Sequence, residues 1–159
     1  MIQKSENQME KEYLKLQKKY NLPQFTEIKE ELELDPKDEN PFPIKLVRRK
    51  LHDKLTYAAR VIEIILFPNP SSLPNIYESK FFDEKEKEDM GETYKKILSL
   101  ERESNRLDIL PSEKEDAKFF IKALKEWEKI KPKIANILKK TEISWQKEKS
   151  SIEDNHYFG

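Results

Sequence analysis

Glycine is nearly absent from this chain: Gly91 and Gly159 are the only two in 159 residues. Glycine is the residue that most readily adopts the positive φ of tight hairpins and phosphate-binding loops. Its scarcity argues against folds that depend on such loops. The chain also contains no G-x-S-x-G, Walker or dinucleotide-binding pattern. The sequence therefore lacks the usual signatures of hydrolases, nucleotide hydrolases and dinucleotide-dependent enzymes.

Cysteine, long apolar runs and net charge are missing as well. Without cysteine the chain can form no disulfide, thiolate zinc site or cysteine nucleophile. No apolar run approaches the roughly 18 residues of a membrane-spanning helix. Lys and Arg number 31 and Asp and Glu also number 31, so no net charge draws the protein to nucleic acid or to an anionic membrane. We expect a soluble, cytoplasmic protein that does not bind membranes.

Apolar residues recur instead at helical spacing, in segments that prolines separate. The third and most apolar segment runs from Phe42 to Phe67, which predicts a central helix with neighbours on several sides. A heptad seam runs from Ala117 to Trp145, as in helical bundles and coiled coils. Lys131 and Pro132 interrupt this seam, and we expect a kink there. Leu51 and Trp127 are predicted to be buried.

Capping signatures mark three helix starts: Ser5-x-x-Gln8, Asp83-x-x-Glu86 and Ser112-x-x-Glu115. No pattern of alternating residues indicates a strand. Together these features predict an all-α protein, an antiparallel helical bundle of about four substantial helices plus one or two short helices. We expect one domain over residues 1–145 and a polar, flexible tail over residues 146–159.

Histidine is too scarce to suggest a metal centre. The chain has two, His52 beside the apolar stripe of the third helical segment and His156 in the tail. Metal-binding carboxylate bundles use Glu-x-x-His on two helices, whereas here the pattern occurs once, at Glu153 and His156. We expect no metal, no cofactor and no enzymatic activity.

The fifth helical segment lies between Asp83 and Pro111, and polar residues appear on the face of it that should be buried. The predicted buried polar cluster combines this face with the flank of the third segment and consists of Arg48, His52, Glu101, Ser104, Asn105 and Asp108. Three interpretations stay open. The fifth helix leaves the core after Leu100 and these residues are solvated; or Arg48 forms a buried ion pair with Asp108 or Glu101; or the cluster lines a ligand pocket.

Two further surfaces are candidates for binding. Ile143 and Trp145 lie beyond the length that the shorter helices can cover, so we predict an anchor for a partner. The competing interpretation is that the helix bends at Pro132 and returns Trp145 to the bundle. Basic residues on the third and last helices are candidate nucleic-acid contacts, although a solvated charged face is the simpler interpretation; they are Lys45, Arg49, Lys50, Lys54, Lys133, Lys139 and Lys140.

These observations lead to a ranked set of hypotheses. The first is a non-enzymatic helical interaction module, an adaptor or a subunit of a larger assembly, that binds a protein partner through an apolar and aromatic helix face. The alternative is an RNA- or DNA-associated protein that uses the basic third helix and the lysine-rich last helix. A helical enzyme that uses Arg48, Glu101 and Asp108 ranks last.

Four strings of the sequence also carry a family resemblance: KKYNLPQF, VRRKLHDKL, IYESKFFDEKEKEDM and EWEKIKPKI. They resemble pieces of small, uncharacterised all-helical proteins from archaea with compact genomes. The resemblance extends over most of residues 10–148. It implies a cytoplasmic protein with one domain, and it assigns no functional residue.

Overall fold

Helices account for most of the residues that the structure describes. The computed structural model describes residues 8–35, 37 and 42–155, with side chains through Lys147. Over these ranges the chain forms six helices and no strand, so the predicted all-α fold is confirmed. The helices are α1 (Gln8–Tyr20), α2 (Phe25–Glu31), α3 (Pro43–Leu66), α4 (Leu73–Lys80), α5 (Glu84–Ile109) and α6 (Glu113–Asn155).

Side chains cap the starts of α5 and α6 as the sequence predicts. The backbone N–H of Asp83 donates to Glu86 Oε2 at 2.8 Å, and the N–H of Glu86 donates back to Asp83 Oδ1 at 2.8 Å. At α6 the N–H of Glu115 donates to Ser112 Oγ at 3.3 Å. These bonds satisfy amides that a helix start otherwise leaves without partners. Ser5 lies outside the described residues.

Two helices end in a left-handed turn without glycine. Asn21 after α1 has φ 56° and Glu33 after α2 has φ 52°. In both turns the next amide donates to the carbonyl five residues before it, at 3.3 Å after α1 and 3.1 Å after α2. Such turns satisfy the last carbonyls of a helix and usually use glycine. Asparagine tolerates this conformation better than glutamate does. The scarcity of glycine therefore does not prevent these turns.

The chain forms two compact units. Unit 1 comprises Met1–Thr56 and Ser99–Trp127, and unit 2 comprises Tyr57–Leu98 and Glu128–Gly159. The boundaries fall inside helices, so α3, α5 and α6 each contribute one part to each unit. The single domain over residues 1–145 stays a prediction. So does the flexibility of residues 146–159, in which the α6 backbone is helical as far as Asn155.

Unit 1 has a core of aromatic and aliphatic side chains. Leu51 is fully buried and Trp127 is nearly so, as the sequence predicts. Tyr13 of α1 is also buried; its hydroxyl donates to the Pro23 carbonyl at 2.7 Å, and its ring centroid lies 5.4 Å from that of Phe25. Burial raises the pKa of Tyr13, with a smaller contribution from the charge of Glu27. These contacts join α1 and α2.

Unit 2 shows the direction of its long helices through its surface ion pairs. Lys133 Nζ lies 3.5 Å from Asp89 Oδ1, and Lys140 Nζ lies 2.5 Å from Glu86 Oε1. Higher numbers on α6 thus pair with lower numbers on α5, and in this unit the two helices run antiparallel. Inside the unit, buried Ser79 of α4 donates its hydroxyl to the Ile65 carbonyl at 2.6 Å. This bond fixes α4 to the end of α3.

Candidate functional site

Arg48 is the centre of a buried ion-pair network in unit 1. Its side chain is fully buried. Nη1 donates to the Ser104 carbonyl at 2.9 Å and to Ser104 Oγ at 2.7 Å, and Nη2 donates to Asp108 Oδ1 at 2.5 Å. Nε lies 2.7 Å from Asp116 Oδ1. A buried guanidinium requires such partners because its desolvation is costly. The network therefore joins α3 to α5 and α6.

The structure brings together part of the predicted polar cluster. Ser104 is buried, and so are Glu101 and Leu107 on the same stretch of α5, so this helix does not leave the core after Leu100. The prediction that Asn105 belongs to the buried cluster is wrong, because Asn105 is exposed. Successive residues of a helix are rotated by about 100°, so Asn105 points away from the face that carries Ser104. His52 is half-buried.

Asp116 is the member of the network that the sequence analysis missed. It lies in the first turn of α6, where acidic residues ordinarily face solvent and compensate the helix dipole. The available signal was its spacing: Asp116 precedes Phe120 by four residues, and residues four apart share a helix face. The structure buries both side chains.

The two carboxylates of the network have pKa shifts of opposite sign. Burial raises the pKa of Asp116, and the nearby charges of Arg48 and Lys45 only partly oppose this effect. For Asp108 burial also acts to raise the pKa, but hydrogen bonds and charges from Arg48 and Arg49 outweigh it and the pKa is lowered. The difference follows exposure, because Asp116 is almost entirely buried and Asp108 is partly exposed.

Two buried polar atoms of unit 1 stand outside this network. Among the residues that the structure describes, neither His52 Nδ1 nor Glu101 Oε1 has a hydrogen-bond partner. Over residues 8–35, 37 and 42–147, no three His, Asp or Glu side chains are placed to hold a metal ion. His156, named in the sequence analysis, lies outside these ranges.

A cleft of about 560 Å³ opens beside Asp116, and we call it the unit 1 cleft. Its volume falls in the range of about 300–1,000 Å³ that is usual for ligand pockets. One side is formed by the first residues of α3, another by the start of α6, and a third by α1. Its apolar lining consists of Leu16, Phe42, Pro43, Ile44 and Pro111.

Charged residues around the unit 1 cleft are mostly paired with each other. Lys15 Nζ lies 2.8 Å from Glu12 Oε1, and Lys19 Nζ lies 3.0 Å from Glu113 Oε1. The third lysine of the lining, Lys45, is half-buried and makes neither a hydrogen bond nor an ion pair with any described residue. The cleft therefore combines an apolar wall with a cation, Lys45, that forms no salt bridge with a described residue.

Trp145, predicted as a partner anchor, is held inside unit 2. Its Nε1 donates to Glu78 Oε1 at 2.9 Å. Its ring centroid lies 5.9 Å from that of Tyr77 and 5.4 Å from that of Phe81, the latter in an edge-to-face arrangement. Of the two interpretations of Trp145 that the sequence left open, these contacts contradict the uncovered anchor and agree with the one in which Trp145 packs back onto the protein: the short helix α4 covers it. Ile143 is exposed.

We expect Trp145→Ala to lower the free energy of unfolding by about 1–3 kcal/mol. The substitution removes a half-buried ring, its aromatic contacts and its hydrogen bond. Ile143→Ala is the matched control and is expected to cost less than about 1 kcal/mol, as exposed substitutions do. Urea denaturation followed by circular dichroism measures both. Equal losses in the two variants would contradict the packing of Trp145 on α4.

On α3 the candidate nucleic-acid contacts occupy two faces. At about 100° per residue, Lys45 and Arg49 lie on one face, and Lys50 and Lys54 lie about 140° around the helix from them. Arg49 Nε is also 3.3 Å from Asp108 Oδ1. The four residues therefore do not form a single basic stripe.

On α6, the candidate contacts include two lysines that already have acidic partners. Lys133 and Lys140 form the ion pairs with α5 described above. Lys139 is exposed and forms no ion pair with a described residue. Two of these three lysines would thus exchange an existing ion pair for a phosphate contact.

Comparisons with known proteins identify no relative of this chain. No protein-family model, no curated protein and no solved structure matches the chain. Within the part of the chain that the structure describes, none of the helices is both long enough and apolar enough to cross a membrane.

Proposed function

We propose that this protein is a non-enzymatic helical interaction module, an adaptor or a subunit of a larger assembly, that binds a protein partner through the unit 1 cleft. The observation that carries the proposal is the exposed apolar surface at this cleft. Phe42 lines the cleft and is 66% exposed. Ile109 and Leu110 are 78% and 62% exposed and immediately precede Pro111, which also lines it. Exposed apolar side chains at a cleft and next to it in the chain are typical of binding surfaces.

The ionisable groups around the cleft support the non-enzymatic part of the proposal. Proton transfer requires a group that can reach a substrate and change its protonation state near the working pH. Asp116 and Asp108 are both held by Arg48. Glu12 and Glu113 are held by lysines. Because these carboxylates are already in ion pairs, we assign them the role of holding the geometry of a binding surface and not of transferring protons.

An RNA- or DNA-associated protein is the second candidate. Lys50, Lys54 and Lys139 support it, because none of them forms an ion pair with another described residue. We place this function second because Arg49, Lys133 and Lys140 already have acidic partners. Phosphate binding would have to compete with those ion pairs.

The first proposal predicts that Phe42→Ala weakens partner capture at least about tenfold, the loss expected when an aromatic anchor worth about 1.4 kcal/mol or more is removed. Phe67→Ala is the matched control, because Phe67 belongs to unit 2 and is also 66% exposed. Quantitative affinity purification from the native organism compares the full-length wild type with both variants.

Electrophoretic mobility with mixed RNA, at about 50 and about 200 mM salt, forms the second arm of this experiment. A partner protein that Phe42→Ala loses and Phe67→Ala retains supports the interaction module. Equal capture by all three proteins contradicts the assignment to the cleft. A salt-sensitive RNA complex, unaffected by Phe42→Ala and lost in Lys50→Met, would favour the nucleic-acid function instead.

A further inference from the structure

The charges behind the unit 1 cleft do not cancel. Three cations, Lys45, Arg48 and Arg49, lie with two carboxylates, Asp108 and Asp116. Arg48 pairs with both carboxylates, and Arg49 pairs with Asp108. Among the residues that the structure describes, three positive charges less two negative charges leave an excess of one positive charge. Lys45 is the cation of this group that lines the cleft.

The other described charges that line the cleft leave this excess uncompensated. Lys15 and Lys19 are paired with Glu12 and Glu113, so those four residues are neutral as a set. Lys45 acts on the pKa of Asp116, but Asp116 Oδ1 already lies 2.7 Å from Arg48 Nε. Lys45 is half-buried beside apolar side chains, and a carboxylate placed next to its ammonium group would be attracted to it.

The apolar wall and the cation come from consecutive residues. Phe42, Pro43 and Ile44 line the cleft, and Lys45 follows them directly. The first turn of α3 contains no acidic residue, so the positive end of its helix dipole adds to the charge of Lys45. The start of α6, by contrast, already carries Glu113 and Asp116. The preferred ligand group therefore has an apolar body next to a negative charge.

We infer that the unit 1 cleft takes a peptide segment in which an acidic side chain lies next to large apolar ones, with the carboxylate paired to Lys45. This inference rests on the proposed function and names the chemistry of the partner. A basic segment is the competing outcome, in which Asp116 would receive a cation. We place it second because Arg48 already holds Asp116.

Three capped tripeptides test the inference: Ac-Leu-Glu-Phe-NH2 and the same peptide with Gln or Lys at its centre. Each is titrated into the ¹⁵N-labelled full chain while the amide shifts of Ile44 and Glu113 are followed. We expect the Glu peptide to bind about tenfold more tightly than the Gln peptide, which corresponds to about 1.4 kcal/mol. The Lys peptide should bind most weakly, because like charges repel.

Lys45→Met keeps most of the aliphatic stem and removes the charge, so it should reduce the ratio between the Glu and Gln peptides to about one. Lys54→Met is the matched control, since Lys54 is also half-buried on α3 but does not line the cleft. That variant should keep the tenfold ratio. The comparison of peptides on the wild type holds even if a variant folds poorly.

Several results would overturn the inference. Equal binding of the Glu and Gln peptides at the cleft would do so and leave the proposed protein-binding function intact. Tightest binding of the Lys peptide would assign recognition to Asp116 instead. A third result would overturn both the inference and the proposed function: an eight-residue oligouridylate shifts the same amides, and no peptide shifts them at concentrations up to about 5 mM. A peptide that bound with a Kd of 1 mM, about −4.1 kcal/mol, would be detected at that concentration.

Discussion

Arg48→Met is expected to lower the free energy of unfolding by about 3–5 kcal/mol at pH 7, the range observed when one partner of a buried ion pair is removed. The substitution keeps an apolar side chain of similar length but leaves Asp116 buried without its cation. It also removes the hydrogen bonds that Arg48 donates to Ser104 and Asp108. Urea denaturation followed by circular dichroism measures the loss.

The loss should shrink as the pH falls from 7 to about 4. Burial already raises the pKa of Asp116 above its ordinary value of 3.8, and removing the opposing charge of Arg48 raises it further. A folded state with a raised carboxyl pKa binds the proton more tightly than the unfolded state does, so protonation stabilises the variant. Asp108 acts in the same direction only at lower pH: its lowered pKa stabilises the wild type above about pH 3.8, and this stability is lost as the pH falls below that value and through the folded-state pKa.

A double variant separates the stranded charge from simple loss of packing. Arg48→Met combined with Asp116→Leu removes both charges and should recover more than half of the single variant's loss, because a buried ion pair contributes little beyond an apolar replacement. A single variant within about 0.5 kcal/mol of the wild type, the usual range for surface substitutions, would show that Arg48 is solvated in solution.

Most of this network could be predicted from sequence. Placing residues at 100° intervals identified Arg48, Ser104 and Asp108 as facing candidates, because helical periodicity fixes which side chains share a face. Asp116 could not be selected in the same way. Several acids occur in the first turn of α6, and their presence there is equally well explained by the helix dipole. Only the packing of the start of α6 against α3 distinguishes the buried acid from the exposed ones.

The sequence could predict neither the unit 1 cleft nor the helix that covers Trp145, because both depend on which helices meet in the fold. The cleft is lined by α1 and by the starts of α3 and α6, which are distant in sequence. Periodicity describes one helix at a time and gives no information about which helix ends meet. Likewise, Trp145 is covered by the short helix α4, and a segment of 8 residues carries too little periodic signal to reveal its packing face.

Trp127→Ala should have an effect on stability as large as that of Arg48→Met. Trp127 is buried in unit 1, and its Nε1 donates to Glu31 Oε1 at 2.6 Å, which ties α6 to the end of α2. Removal of a buried aromatic ring costs about 3–5 kcal/mol through lost burial and the cavity that remains. Urea denaturation at pH 7, followed by circular dichroism, gives the value.

Trp127→Phe isolates the hydrogen bond from the packing. Phenylalanine keeps an aromatic ring but has no N–H, so we expect a loss of about 1.5–3 kcal/mol, the usual contribution of a hydrogen bond to a charged group. Glu31→Gln keeps an acceptor oxygen and should cost less than Trp127→Phe. If Trp127→Ala cost less than about 1 kcal/mol, the heptad seam of α6 would not be packed at this position. The seam is the strongest sequence signal in the chain, so this measurement tests the fold where sequence and structure agree most closely.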